Sequence, residues 1–504
     1  LDAARAVILA EGAAQVVLSA HSTGGLIGVL WANRHPGRVH GLVLNSPWLE
    51  LQGAAVVRHV SAPAVARLAR LQPKAPLPNI DPGFYGRTLR AADGGEWTYE
   101  DAWRPVPSFP VRAGWLAAVG ADEGVPAPAR AALGAYRERS ARVFDRLAPV
   151  PLERWSWQVA GSGEALSDER GQELPEGSWV ARTTLVWSLE GAGDDPVRRQ
   201  QDLTVVPSGS GWAVVDDGDG ETVPDLWDLG DVDVVTAERA VVLGTADREA
   251  LERAAEVTTP AAEGVDAVWG TAWPRRTVVE VPADQAQMAA LLGRDDDTGL
   301  GQIAAVTTGE LVGGEGATRG DHVVVNPTGF GQLAPVGQRV VLTHELTHVA
   351  TRSGAVRAVP LWLSEGFADW VGYQGTGLSR QVVATDLLRR VREDGPPAAL
   401  PTAADFDPER SSDIGPAYSG AWLAVDALAR RHGDDAVVEL YRAASRDALP
   451  GVADPAQEAA REAGQDTGQD EADAALDAAL ASVMGTDRTE VLALWRAELV
   501  ELAG

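Results

Sequence analysis

Cysteine is absent from the 504 residues, which removes disulfides, thiolate metal sites and cysteine nucleophiles together. The redox compartment is left open. Any bound transition metal must draw on imidazoles and carboxylates, and the chain holds only eight histidines. Positive charge is scarce: 43 basic against 72 acidic side chains give a formal net charge of −29, and Lys74 is the only lysine. A surface of that sign repels a phosphate backbone, which excludes a general nucleic-acid binder. Long apolar runs are missing too. No window of about 18 uninterrupted apolar residues occurs, so no transmembrane helix is expected in this chain. The chain opens on Leu1 with no basic segment followed by an apolar one; no signal peptide is read there, and the start looks like a cut.

What is present suffices for a large core. Apolar residues make up 45% of the chain and charged residues 23%, and at roughly 100–200 residues per domain the length predicts two to four domains. The expected fold class is multidomain α/β and α+β. Residues 1–118 alternate strand, Gly-rich turn, helix and strand, with apolar runs at Val16–Ala20 and Val39–Asn45, the rhythm of a partial doubly wound parallel sheet. A Gly/Ala/Asp/Pro-rich linker covers 119–126. Residues 127–225 read as a small α+β module, one amphipathic helix followed by antiparallel strands at Leu152–Val159, Trp179–Leu189, Gln200–Val206 and Gly211–Val215. From 226 to 504 strands and helices alternate, turning mainly helical after Gln338, with a solvated acidic loop expected over Gly451–Asp473 and a last amphipathic helix over Arg488–Leu502.

One pentapeptide dominates the functional reading: His344-Glu345-Leu346-Thr347-His348, inside a helical pattern that begins near Gln338. Histidines at i and i+4 project from one helix face, so two imidazoles can share a metal. Glu345 stands about 100° around the helix, close enough to serve a metal-bound water without being a ligand. Glu365 and Asp369 follow in Pro360–Trp370, again at i and i+4 on a second predicted helix.

Those motifs resemble the gluzincins, the thermolysin-like zinc metallopeptidases in which a HExxH helix and a Glu-x-x-x-Asp helix assemble one zinc site. The resemblance covers 226–504 in general texture, with specific motifs in 338–373. It implies that His344, His348 and Glu365 ligate Zn²⁺, that Glu345 is the general base, and that Asp369 orients a ligand histidine through its second ring nitrogen. Zinc over another divalent ion is itself an expectation from ligand type and motif. Ala417-Tyr418-Ser419-Gly420-Ala421 is similar to the Tyr-x-x-Gly-Ala stretch of related aminopeptidases, one residue short, so Tyr418 is read either as an oxyanion donor or as a core tyrosine near a helix start. His432 is expected to mark the end of that helix. Segments Gln302–Thr308 and His322–Asn326 read as strands, with His322 a strand residue; either could be the edge that binds extended substrate.

A second motif competes. Ala20-His21-Ser22-Thr23-Gly24 follows a strand and precedes a helix, the arrangement of a nucleophile elbow. With Leu42–Leu49, it resembles the serine aminopeptidase and monoacylglycerol-lipase branch of the α/β-hydrolases over residues 1–118. That family runs Ser, acid, His along the chain. Here the only histidines between Ser22 and residue 322 are His35, His40 and His59, none after an acid-bearing strand. Ser22 is therefore read as a vestigial nucleophile, and the segment as part of a hydrolase joined to an unrelated protein.

The expected function is a zinc-dependent peptidase acting on a peptide or protein. The alternatives are a serine hydrolase through Ser22, judged incomplete, and a non-catalytic zinc-binding module, which would have no need of Glu345. The 127–217 stretch is faintly similar to nuclear transport factor two. Such modules often precede this peptidase type in envelope-associated bacterial proteins, which implies an extracytoplasmic or membrane-facing site.

Overall fold

The structure is a computed structural model that describes residues 17–21, 41–45, 129–192, 196–208, 211–274, 276–312, 317–446 and 468–504. It divides into two compact units, Leu1–Arg104 and Pro105–Gly504. In the first, β1 (Val17–His21) runs parallel to β2 (Gly41–Asn45), Val17 opposite Gly41 and His21 opposite Asn45. A parallel pair requires a crossover connection, in keeping with the β–α–β rhythm. Ser22, His35, His40 and His59 lie outside the described residues.

The second unit opens with α1 (Arg130–Arg146) and an antiparallel sheet in the order β3-β4-β5-β6. Its strands are β3 (Leu152–Ser162), β4 (Trp179–Leu189), β5 (Val197–Ser208) and β6 (Gly211–Asp216). A mixed sheet follows, ordered β10-β11-β9-β8-β7. It comprises β7 (Asp233–Thr236), β8 (Ala240–Gly244), β9 (Thr277–Val281), β10 (Ala305–Val312) and β11 (Ala317–Val325). The inner pairs β8/β9 and β9/β11 are parallel, and the outer strands run antiparallel to their neighbours. The crossover between β8 and β9 is α2 (Arg248–Trp269), started by Asp247, whose side chain accepts from the Ala250 amide.

Side chains of a strand point alternately to its two faces, and both faces of the mixed sheet are apolar. Val242, Val279, Val281, Val323 and Val325 enter a core with the helices. Val241, Leu243, Val278 and Val324 pack instead with Trp155, Leu185 and Trp187 of the antiparallel sheet. Each such aliphatic side chain contributes roughly 1.5–3 kcal/mol on burial. The second unit is thus three layers, and one core runs across residue 225, the boundary read from the sequence.

The helical layer contains α3 (Pro335–Arg352), α4 (Leu361–Tyr373), α5 (Thr385–Asp394), α6 (Gly415–His432), α7 (Asp434–Arg446), α8 (Gly468–Ala479) and α9 (Arg488–Ala503). As expected, α6 ends at His432, beyond which Gly433 takes φ 95°. One expectation needs correcting. Residues Gly468–Asp473 are not part of a loop but open α8, because Ala472, Ala475, Leu476 and Ala479 recur at helical spacing and are buried. The rest of that predicted loop, 451–467, lies outside the described residues. No helix among the described residues is long and apolar enough to cross a membrane.

Candidate metal centre

Pro335 sits in the first turn of α3, where its missing N–H costs nothing. The helix then runs buried from Leu342 to Thr351, with Leu342, Leu346, Val349 and Ala350 in the core, His344 and His348 turned to Glu365 and Asp369 of α4, and Glu345 buried beside them. Gly366 brings α4's neighbour within reach: a Cβ there would collide with the Ala421 carbonyl of α6. This close approach sets Glu365, the residue before it, near Tyr418 on α6.

The three donor groups converge. His344 Nε2 stands 3.0 Å from His348 Nε2 and 3.1 Å from Glu365 Oε2, while His348 Nε2 is 3.4 Å from the same oxygen. Among the described residues no other group of three histidine, aspartate or glutamate side chains draws together in this way. On its other side His344 Nδ1–H donates to Asp369 Oδ1 at 2.8 Å, which leaves the Nε2 lone pair aimed at its neighbours. Electron pairs turned toward one point repel unless a cation or proton lies between them. Ligands held at about 2.0–2.1 Å in a tetrahedron sit roughly 3.3–3.4 Å apart, so the observed spacings need adjust by only a few tenths of an ångström. The donor set fits a divalent transition metal such as zinc.

Electrostatics point the same way. Burial disfavours a charged His344, yet the Asp369 carboxylate outweighs it, with help from Glu365 and Glu345, and holds the imidazole well above its ordinary pKa. Burial pushes Glu365 up, but His348 and His344 pull its carboxyl far below the usual range. The two shifts are the two sides of one attraction: the carboxylates favour a charged imidazole at His344, and the imidazoles favour the Glu365 anion.

Glu345 sits on α3 between the two histidines and outside the converging group. Its carboxylate accepts from Thr307 Oγ1 of β10 at 2.7 Å. The Tyr418 ring lies 6.0 Å from the His344 ring and stacks edge-on against Phe406. Its hydroxyl makes no hydrogen bond to a described residue. Burial, with Glu365, Glu345 and Asp369 adding, pushes that phenol up, so it keeps its proton. Tyr373 is driven the same way by burial and by Asp369, four residues before it on α4.

The remaining candidates fall elsewhere. His322 is a β11 residue turned to the other face of the mixed sheet, 3.0 Å from Arg199 Nη2. Burial and that guanidinium lower its pKa to about 3, keeping it neutral. Of the two upstream strands, β10 is the edge and β11 lies inside the sheet. Thr307 and Arg199 were not anticipated. The one available signal was a polar residue at a buried strand position, Thr307 sharing the face of Ala305.

The family profile of serine aminopeptidase, S33, matches residues 2–112. No curated protein matches the chain. Among solved structures the chain is similar to the M1 zinc metallopeptidase from Deinococcus radiodurans, at 14% identity and a TM-score of 0.30, covering 68% of this chain and 61% of that one. It is also similar to native yeast LTA4 hydrolase, at 10% identity and a TM-score of 0.29, covering 66% of this chain and 45% of that one. The chain therefore spans less than two thirds of the length of these structures. Its N-terminal segment resembles an S33 α/β-hydrolase, and its C-terminal region is similar to zinc metallopeptidases.

Proposed function

We propose that the chain is a zinc-dependent peptidase that hydrolyses peptide bonds in a peptide or protein. The observation that carries the reading is the convergence of His344, His348 and Glu365 beside a glutamate, Glu345, that the convergence leaves free. A purely structural site would close all four positions with protein ligands; this one has three. Zn²⁺ bound there supplies Lewis acidity, polarising a carbonyl and acidifying water.

The chain's own residues do the rest. Asp369 holds the Nδ1 proton of His344 and so keeps Nε2 as the donor atom. Glu345 takes a proton from the attacking water and returns it to the departing amine nitrogen. Tyr418, whose phenol stays protonated, donates its O–H to the oxyanion as the scissile carbon turns tetrahedral. As the edge strand of the mixed sheet among the described residues, β10 offers backbone groups to which an extended substrate can add as a further strand.

Hydrolysis of a peptide mixture by the full chain, with and without chelator, tests this. Activity should vanish on chelation and return with Zn²⁺, and Glu345→Gln should lower kcat by about 10²–10⁴-fold with the metal retained. Zinc-independent hydrolysis would overturn the reading. The match over residues 2–112 favours a second one, a serine hydrolase acting through Ser22. That activity would survive chelation and be lost in Ser22→Ala.

A further inference from the structure

Resting on the peptidase reading, we infer that Thr307 is the positioning residue for the Glu345 carboxylate. Thr307 stands on β10, the edge strand, and its side chain is buried against α3. Its hydroxyl oxygen lies 2.7 Å from Glu345 Oε2 and 2.9 Å from the Glu345 carbonyl. A threonine has one hydroxyl proton to give. The carbonyl already has its regular helical partner, the amide four residues on, and the shorter contact is to the charged group, where a hydrogen bond is stronger. The proton therefore goes to Oε2. One carboxylate oxygen is thereby fixed, and Oε1 is left as the oxygen that meets water.

The strand is held as well as the side chain. Arg352, one turn beyond His348 on α3, reaches the Thr307 carbonyl at 3.4 Å and Asp321 at 3.3 Å. The segment that holds the base is thus tied to the helix that carries the base at two points. A glutamate side chain has three rotatable bonds, and freeing one end of it disperses the base over orientations in which no proton transfer occurs.

The test uses the full chain loaded with zinc, comparing Thr307→Val, Thr307→Ala and Thr307→Ser with the parent. Valine keeps the shape and removes the hydroxyl; alanine removes it without adding bulk, should valine fold poorly; serine keeps it. The expected result is a fall in kcat of about 10–100-fold for valine and alanine, with KM within about two-fold and one zinc still bound. Serine should return kcat to within about three-fold of the parent. Affinity for a peptidyl hydroxamate, which donates a hydrogen bond to the base, should weaken by about five-fold in the valine variant. In a Glu345→Gln background that difference should disappear.

Valine and alanine variants that match the parent in kcat and hydroxamate affinity overturn the inference and leave the peptidase reading standing. A serine variant as impaired as valine does the same, since packing rather than the hydroxyl would then matter. A folded parent that neither binds zinc nor hydrolyses peptides overturns both.

Discussion

Two buried clusters of histidine and carboxylates lie on opposite faces of the mixed sheet, and they solve the same electrostatic problem differently. On the helical face, His344, His348, Glu365 and Asp369 draw together with no arginine or lysine among them. On the other face, Arg199 of β5 reaches into the mixed sheet. There it donates to Asp225 at 3.2 Å and to Glu280 at 3.0 Å, and its Nη2 lies 3.0 Å from His322. Trp187 Nε1 donates a further hydrogen bond to Asp225. There the cation belongs to the chain. A guanidinium fixed in place makes the second cluster a joint between two sheets, whereas the first, on the proposed reading, takes its cation from solution. Residue composition alone would have ranked the two as equals; what separates them is whether the positive charge is covalently built in.

The difference can be broken from either side. The largest expected effect on stability is Arg199→Met, which strands two buried carboxylates and should cost about 3–5 kcal/mol in urea unfolding. Zinc stoichiometry of the folded fraction should stay at one per chain. An unchanged urea midpoint would refute the joint. Next comes Asp369→Asn, which replaces the charged acceptor at His344 Nδ1 by a neutral amide that can also donate, so the tautomer is no longer fixed. Zinc affinity should fall by about 10–100-fold in a competition titration. A large loss of metal-free stability with unaltered affinity would make Asp369 a structural residue instead.

The smallest effect is a pH slope. One arginine cannot neutralise two carboxylates, and Asp225 Oδ2 and Glu280 Oε1 have no hydrogen-bond partner among the described residues. Burial, with the Glu280 charge adding, raises the Asp225 carboxyl to about 7 despite Arg199. The folded state then binds a proton that the unfolded state, with an ordinary carboxyl near 3.8, has already released. Stability from this group is full below pH 4 and is lost as the pH rises toward 7. Asp228, also raised to about 7 by burial and by Asp225, acts in the same direction. Urea midpoints at pH 5 and pH 8 should therefore differ less in Asp225→Asn than in the parent; equal differences would contradict the assignment.

Much of the helical face was legible in the sequence because its geometry is local. Two histidines four apart, and Glu365 and Asp369 four apart, each need only a helix to share a side, and α3 and α4 formed where the pattern put them. The partners supplied by other elements were illegible. Thr307 is 38 residues from Glu345, and Arg199 is 81 residues from Glu280; no periodicity reports such pairings. The sheet hid its own faces as well. Because both sides of β8, β9 and β11 are buried, their valines run continuously instead of alternating, and nothing in that run told which side would meet the antiparallel sheet. The acidic text of Gly468–Asp473 misled for the opposite reason. Its charge reads as solvation, while the small residues that bury α8 carry little hydropathy.

The central claim is that the helical face is built for a cation it does not itself contain. Metal content per chain after purification without chelator, in the parent and in His344→Ala, tests it most directly. The account predicts about one zinc per parent chain and none in a variant that keeps the parent's circular dichroism. A well-folded parent that stays free of zinc when the metal is supplied, or a variant that retains it, would contradict the account.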